Sequence, residues 1–311
     1  MSENINNQKI LKEKFKFIDK TNTESEKMLR PSMSYWQDAW RRLKQNKVAI
    51  VALIILILIT ILTMIGPSIS GKNFAQVNNQ LINLAPSSEH WFGTDNLGRD
   101  LFSRIWMGGR VSIIIGLIGA VIDTVLGAIY GGVAGYFGGF IDDIMMRIVE
   151  ILLSIPYLIV VILVSLIFGQ GMFSLILAMT ITGWCGMARL VRGQILQIKE
   201  QEYVLAAAAL GASPARIIRK HLLPNTLGVI IVSITFDIPS FIFGEAFLSF
   251  IGLGIPSPST SWGALAAAAQ PNMLFYPYQL FFPALMISLT MLSFQLLGDG
   301  LRDALDPKLR Q

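Results

Sequence analysis

The chain has 311 residues, 53% of them hydrophobic and 14% charged, with a mean hydropathy of +0.58. Soluble domains carry about 25% charged residues, so this composition is written for a bilayer. The net charge of +5 raises nucleic acid as a partner, but the placement of the charges described below argues against it, and the single cysteine, Cys185, excludes an intrachain disulfide.

The first 30 residues are rich in Lys, Glu and Asn and predict a flexible tail. The first 47 are polar and charged, so the first apolar run starts too late for a cleavable signal peptide. Tyr35 to Leu43, with Trp36, Trp40, Arg41 and Arg42, reads as an interfacial amphipathic helix or a border anchor. Six apolar runs follow that are long enough to cross a membrane, about 20 residues each. They are Val48–Ile65, Val111–Gly132, Ile148–Phe168, Phe173–Val191, Thr226–Phe250 and Leu280–Gly298. The runs are continuous rather than alternating in polarity, which opposes a β-barrel. The expected organisation is a tail over 1–47, a first span with a long external segment over 48–110, a five-helix core over 111–300, and a tail over 301–311.

The external segment contains Gly66-Pro-Ser-Ile-Ser-Gly71-Lys72-Asn73, which matches GxxxxGK. Asn73 stands where a magnesium-binding hydroxyl is needed, no strand precedes it, and Pro67 lies inside it, so it is rejected as a nucleotide site. Further on, Gly93 and Gly98 suit tight turns, and Asp100 suits the cap of the helix that follows. Gly127, Gly131, Gly135 and Gly139 recur at steps of four, with Gly116 and Gly119 before them; small residues at that spacing let another helix approach closely. The last of these glycines reach the turn before Ile141. Gly252 to Gly263 reads as a rigid outer loop.

All but four of the 25 Lys and Arg fall in the N-terminal tail, alternate loops and the C-terminal end. The exceptions, Lys72, Arg99, Arg104 and Arg110, share the other side. The positive-inside rule then places both termini in the cytoplasm. Ionisable residues within spans are costly and commonly functional. The candidates are Asp123, Glu150, Asp237 and Glu245. Asp123, Asp237 and Glu245 are possible pore-lining residues, and Glu150 lies near the inner border. Asp237 precedes Pro239, which frees a nearby backbone carbonyl. The two histidines, His90 and His221, fall on opposite sides of this topology, and neither HExxH nor GxSxG is present, which argues against an independent enzyme and leaves no expected catalytic, metal or cofactor site.

The polar stretch Gln201–Asn225 reads as two short cytoplasmic helices with a break. The Ala run is strong helix former, Gly211 suits a C-terminal cap, Ser213 an N-cap and Pro214 the first turn, and Pro224 is expected to stop the second helix. With Ala206, Ala207, Gly211, Leu223 and Pro224 in place, this stretch resembles the EAA loop of bacterial ABC importer permeases. Leu205 stands where that pattern has Glu, and His221 where it has Ile. Phe92–Asp100, Glu245–Gly254 with Trp262-Gly263, and Gly298–Pro307 resemble further stretches of the dipeptide, oligopeptide and nickel permeases, most of all the C-type oligopeptide subunit.

The resemblance implies an all-α, six-span fold of the type I importer permeases in the bacterial plasma membrane. It implies a homologous second permease subunit, two cytoplasmic ATPases that hold ATP and magnesium, an external peptide-binding protein and surrounding membrane lipid, with no nucleic acid. Coupling to the ATPases would fall on loop 199–225, at Glu202, Ala206, Ala207, Gly211, Ser213, Arg216, Leu223 and Pro224. Arg216, Arg219 and Lys220 would meet acidic ATPase surface or lipid headgroups. The transported molecule would be an oligopeptide, with dipeptide or nickel as alternatives. An ion-coupled carrier and a non-transporting scaffold are the rivals from other classes.

Overall fold

The computed structural model describes residues 34–306. The Lys- and Glu-rich first 30 residues, and Pro307, Lys308 and Arg310 at the other end, lie outside the described residues. Among those described there are helices and no strand apart from an isolated bridge between Thr94 and Asp100.

Helix α1 (Tyr35–Gln45) presents Trp36 and Trp40 outward, and Leu43 packs with Ala49 and Ala304. Helix α2 (Lys47–Ile69) starts at Asn46, whose Oδ1 accepts from the Ala49 amide at 3.1 Å. Val51, Ile54, Leu58, Ile61 and Ile65 stay exposed along it, the side chains that a bilayer solvates.

Helix α3 (Leu101–Phe137) is longer than the apolar run that predicts it. Asp100 caps it as expected, Oδ2 accepting from the Ser103 amide at 2.9 Å and from its hydroxyl at 2.8 Å. Its two glycine groups serve different neighbours, α6 (Met172–Ile198) and α9 (Leu223–Phe250). A Cβ at Gly127, Gly131 or Gly135 would strike Met187, Ala188 or Ile195 of α6; one at Gly116 or Gly119 would strike Ile242 or Phe241 of α9. The small-residue ridge therefore sets the close approach of α3 to both helices. Gly139 is not part of it. The helix ends at Phe137, Gly138 has φ +63°, and Gly139 has φ +51° with open space around its Cβ position.

The third apolar run is not one straight span. It is divided between α4 (Gly139–Ser154) and α5 (Tyr157–Phe168), which meet at 80°. Pro156 is the cause: it disfavours helical geometry at Ile155, whose φ and ψ are −75° and 125°. Among the described residues, five helices are long and apolar enough to cross a membrane, and there are six spans if this bent pair forms one. A bidentate pair ties α4 to α6, Arg192 Nε and Nη2 donating to Asp142 at 2.5 and 2.6 Å.

After α6 come α7 (Glu202–Ala209) and α8 (Pro214–Ile217), then one π-helical turn, Ile218–Leu222, that runs into α9. Helix α10 (Trp262–Ala269) and α11 (Pro277–Leu305) complete the described chain. The core joins α2, α3, α5, α6, α9 and α10, with Trp262, Ile105, Ile115, Ile242 and Leu248 fully buried.

Candidate functional site

Two places in this fold concentrate polar or exposed groups that packing alone does not explain. The first is the helix-break-helix knob of 201–225. Its break is a Schellman motif: the Gly211 amide donates to Ala208 O at 3.0 Å, and the Ala212 amide to Ala207 O at 3.1 Å. Gly211 sits at φ +81°, a conformation that costs a residue with a Cβ. Ser213 takes the N-cap position with extended backbone, but its hydroxyl makes no capping bond.

Pro224 does not stop the second helix. The Leu223 amide reaches back five residues to Ile218 O, and this widened turn carries the chain past the proline into α9. The Asn225 side-chain Nδ2 donates to His221 O at 2.6 Å, satisfying a carbonyl near the disrupted ladder. The knob's second helix is thereby the leading end of the 37-residue helical run Pro214–Phe250.

Beneath the knob, Val204, Ile217 and Leu222 are buried with Val191 and Ile195 of α6 and Ile230 of α9. Asn225 Nδ2 also donates to Tyr203 Oη at 3.0 Å, joining α7 to the start of α9. Lys199 Nζ donates to Gly135 O at 3.0 Å and anchors the root of the knob to the end of α3. The opposite surface is bare. Glu202, Ala206, Gly211, Ser213, Arg216 and Pro224 are exposed, Ala207 and Leu223 half-buried. Leu205 is 57% exposed and Leu210 89%. Leu205 within α7 and Leu210 at its C-cap are therefore exposed apolar side chains on the knob. The outer residues of the knob are legible in the sequence, but the anchors Val204, Ile217 and Leu222 are not. Their apolar identity was visible, while the target they pack on belongs to distant helices.

The second place is a cavity of about 350 Å³ lined by Asp123, Tyr157, Met179, Gly183, Asp237, Ser240, Phe241 and Gly244. Asp123 of α3 and Asp237 of α9 are brought together here. Ser240 lies one turn beyond Asp237, a spacing readable in the sequence. Tyr157 carried no such signal, because it enters only through the bend after Pro156.

Glu245 is not among the lining residues. It is fully buried, with Oε1 accepting from Ser249 Oγ at 2.7 Å and Ser261 Oγ at 2.5 Å, and Oε2 from Ser112 Oγ at 3.1 Å. The Trp262 amide donates to Ser112 Oγ at 3.1 Å, so one carboxylate organises the meeting of α3, α9 and α10. Glu150 forms an exposed pair with Arg147 at 3.1 Å.

The four cations of the expected outer side are held within the chain. Lys72 donates to Glu89 O and lies 3.2 Å from His90 Nδ1, which is itself 2.9 Å from Asp100 Oδ1. This engagement agrees with rejecting the GxxxxGK match, whose first residues are helical. Arg99 Nε pairs with Asp95 at 2.7 Å, Arg104 Nη1 donates to Phe74 O at 3.1 Å, and Arg110 donates to Thr63 and Met64 carbonyls. The turns at Gly93 and Gly98 have φ +78° and +70°, as expected.

A multi-pass helical membrane protein with long packed spans and a helical knob rooted on two of them is the class that fold and site define. Residues 124–311 match the family described as binding-protein-dependent transport system inner membrane component, and the chain belongs to that family. Residues 34–86 match the N-terminal TM domain of oligopeptide transport permease C. The dipeptide transport system permease protein DppC of Bacillus subtilis is 53% identical over 93% of this chain and 91% of its own length. The oligopeptide transport system permease protein OppC of the same organism is 48% identical over 93% and 94%. Among solved structures, a chain of the MetNI methionine ABC transporter in inward-facing conformations aligns with TM-score 0.54 and 21% identity, over 65% of this chain and 97% of that one. That likeness concerns the fold.

Proposed function

We propose that this chain is one pore subunit of an ATP-driven importer that takes up peptides delivered by an external binding protein. The observation that carries the mechanism is the continuity of the knob with α9, together with its burial on α6. A cytoplasmic ATPase that closes against the exposed face of 201–225 moves α7 and α8 as one body. Because Val204, Ile217 and Leu222 are packed on the ends of α6 and α9, that displacement passes into two spans. The pore then changes from inward- to outward-facing and receives the substrate. ATP and magnesium reside in two partner ATPases, and a homologous permease completes the pore.

On this reading Glu202, Ala206, Ala207, Gly211, Ser213, Arg216, Leu223 and Pro224 form or shape the coupling surface. Leu205 replaces the acidic residue of the family pattern with an apolar one, and Leu205 and Leu210 supply contact area in its place. Arg216, Arg219 and Lys220 add positive charge beside them.

The match of residues 34–86 to an oligopeptide permease domain supports oligopeptides as cargo. The 53% identity to a dipeptide permease supports dipeptides as the second reading. An ion-coupled carrier finds no support in the family match. The test is affinity purification of the tagged chain from its native membrane, followed by uptake in proteoliposomes. A homologous six-span subunit and two ATPases should copurify, and ATP with the loaded binding protein should drive uptake of labelled peptide. Purification of the chain without ATPases, or uptake indifferent to ATP, contradicts the proposal.

A further inference from the structure

The Asp123 cavity lies at span depth and is only partly apolar. Met179, Phe241 and Gly244 give it an apolar wall, while Asp123, Asp237, Tyr157 and Ser240 give it oxygen atoms. Asp123 is 4% exposed, and its Oδ1 is buried with no hydrogen-bond partner. Its other oxygen leaves no room for a side chain at Gly183, since a Cβ there would lie 2.0 Å from Oδ2. Thus α6 presents bare backbone to the acid and offers it no donor. No Lys, Arg or His lines the cavity. A carboxylate at membrane depth without a donor or counter-charge is expensive, and such residues commonly mark a substrate or ion path.

We infer that this cavity binds a primary ammonium group, and that in the importer proposed above it holds the amino end of the peptide in transit. The inference rests on that peptide-importer reading for its substrate and on the cavity for its chemistry. An ammonium has three donors on one compact charge. Asp123, Asp237, the Tyr157 hydroxyl and the Ser240 hydroxyl are the acceptors around it. The volume is near the lower end of the about 300–1,000 Å³ typical of ligand sites, which suits one end of a peptide rather than a whole oligopeptide. A lining with two acids and no cation suits the peptide's amino end and not its carboxyl end, so side-chain identity stays unread. A site of this kind binds peptides of different sequence through the one group they share.

The test uses the assembled complex in nanodiscs, without the binding protein, and millimolar radiolabelled dialanine amide in equilibrium dialysis. Parallel proteoliposomes measure ATP-driven uptake of a labelled peptide from its binding protein. Wild type should retain the probe, unlabelled dialanine amide should displace it, and N-acetyl-dialanine amide should not. Asp123→Asn keeps the shape and removes the charge; it should weaken retention at least tenfold, with Asp123→Glu recovering part of it. Asp237→Asn, at a half-exposed position, should also weaken retention and guards against a folding defect at Asp123. Wild-type retention by both Asp123→Asn and Asp237→Asn, equal competition by the acetylated probe, or no retention by wild type overturns the ammonium site. Normal wild-type peptide uptake alongside any of those results leaves the importer reading standing. Charge-dependent retention without any peptide uptake removes the importer reading instead.

Discussion

At Glu245, three hydroxyls from three segments converge on one buried carboxylate. In the sequence Glu245 reads as possible pore lining, because a lone acid in an apolar run carries no record of its donors. Ser249 was within reach by helical spacing, one turn away, but Ser112 and Ser261 come from remote positions. Glu245→Ala should cost on the order of 3 kcal/mol, since it strands three buried hydroxyls that now donate to its carboxyl oxygens. Differential scanning fluorimetry in detergent should show a clear fall in Tm for Glu245→Ala and a smaller one for Glu245→Gln. Gly211 was legible as a break from its place after an Ala run, and its φ of +81° bears that reading out. A Cβ at Gly211 meets nothing within 4 Å, so a substitution there acts through backbone strain alone. The strain is roughly 1–2 kcal/mol and greater for a β-branched side chain. Gly211→Val should retain expression while ATP hydrolysis persists and peptide uptake falls, measured side by side in proteoliposomes; normal uptake at wild-type expression contradicts the coupling role.

Between elements, the glycine ridge of α3 is the clearest case of sequence spacing that became geometry. A Cβ at Gly131 would lie 2.2 Å from Ala188 O, backbone that cannot step aside. Gly131→Ala should therefore cost roughly 1–3 kcal/mol by forcing α3 and α6 apart. At the adjacent Gly132 a Cβ would only touch Leu223 and Ile218 at 3.5 and 3.6 Å, so Gly132→Ala is the matched control and should be near neutral. Comparing their thermal unfolding in the same detergent separates packing from propensity. Spacing alone does not end the ridge at Gly135, because a fourth glycine at the same step has the same pattern whether helical or in a turn; the turn expected before Ile141 is what takes Gly139 out of it. Pro224 illustrates the opposite limit. Local rules make a proline a helix stop, yet the π turn before it lets the helix continue. The result matters for the proposed transmission, since a stopped helix would leave a hinge where the structure has a rod. Pro156 followed its local rule instead, and the apolar run around it bends by 80°.

Across the whole molecule, topology gives a prediction independent of transport. With Cys185 buried and replaced by Ser, single cysteines at Leu210 and Leu274, 89% and 84% exposed, report on opposite loops. An impermeant maleimide applied to intact cells should label Leu274→Cys and spare Leu210→Cys until the membrane is opened. Labelling in the reverse order would overturn the orientation inferred from Lys and Arg. That the chain is helical, crosses a membrane several times and carries a knob between the fourth and fifth runs followed from the sequence alone. Hydropathy, charge bias and caps depend on residues near one another in the chain, so they survive without a fold. What the tertiary structure decided was which polar groups meet. It put Asp123 and Asp237 on one cavity, withdrew Glu245 into a serine cage, and seated Val204, Ile217 and Leu222 on the ends of two spans. Those outcomes depend on how distant helices pack, and hydrophobic length specifies that a helix lies in the membrane without specifying which of its faces meets a neighbour.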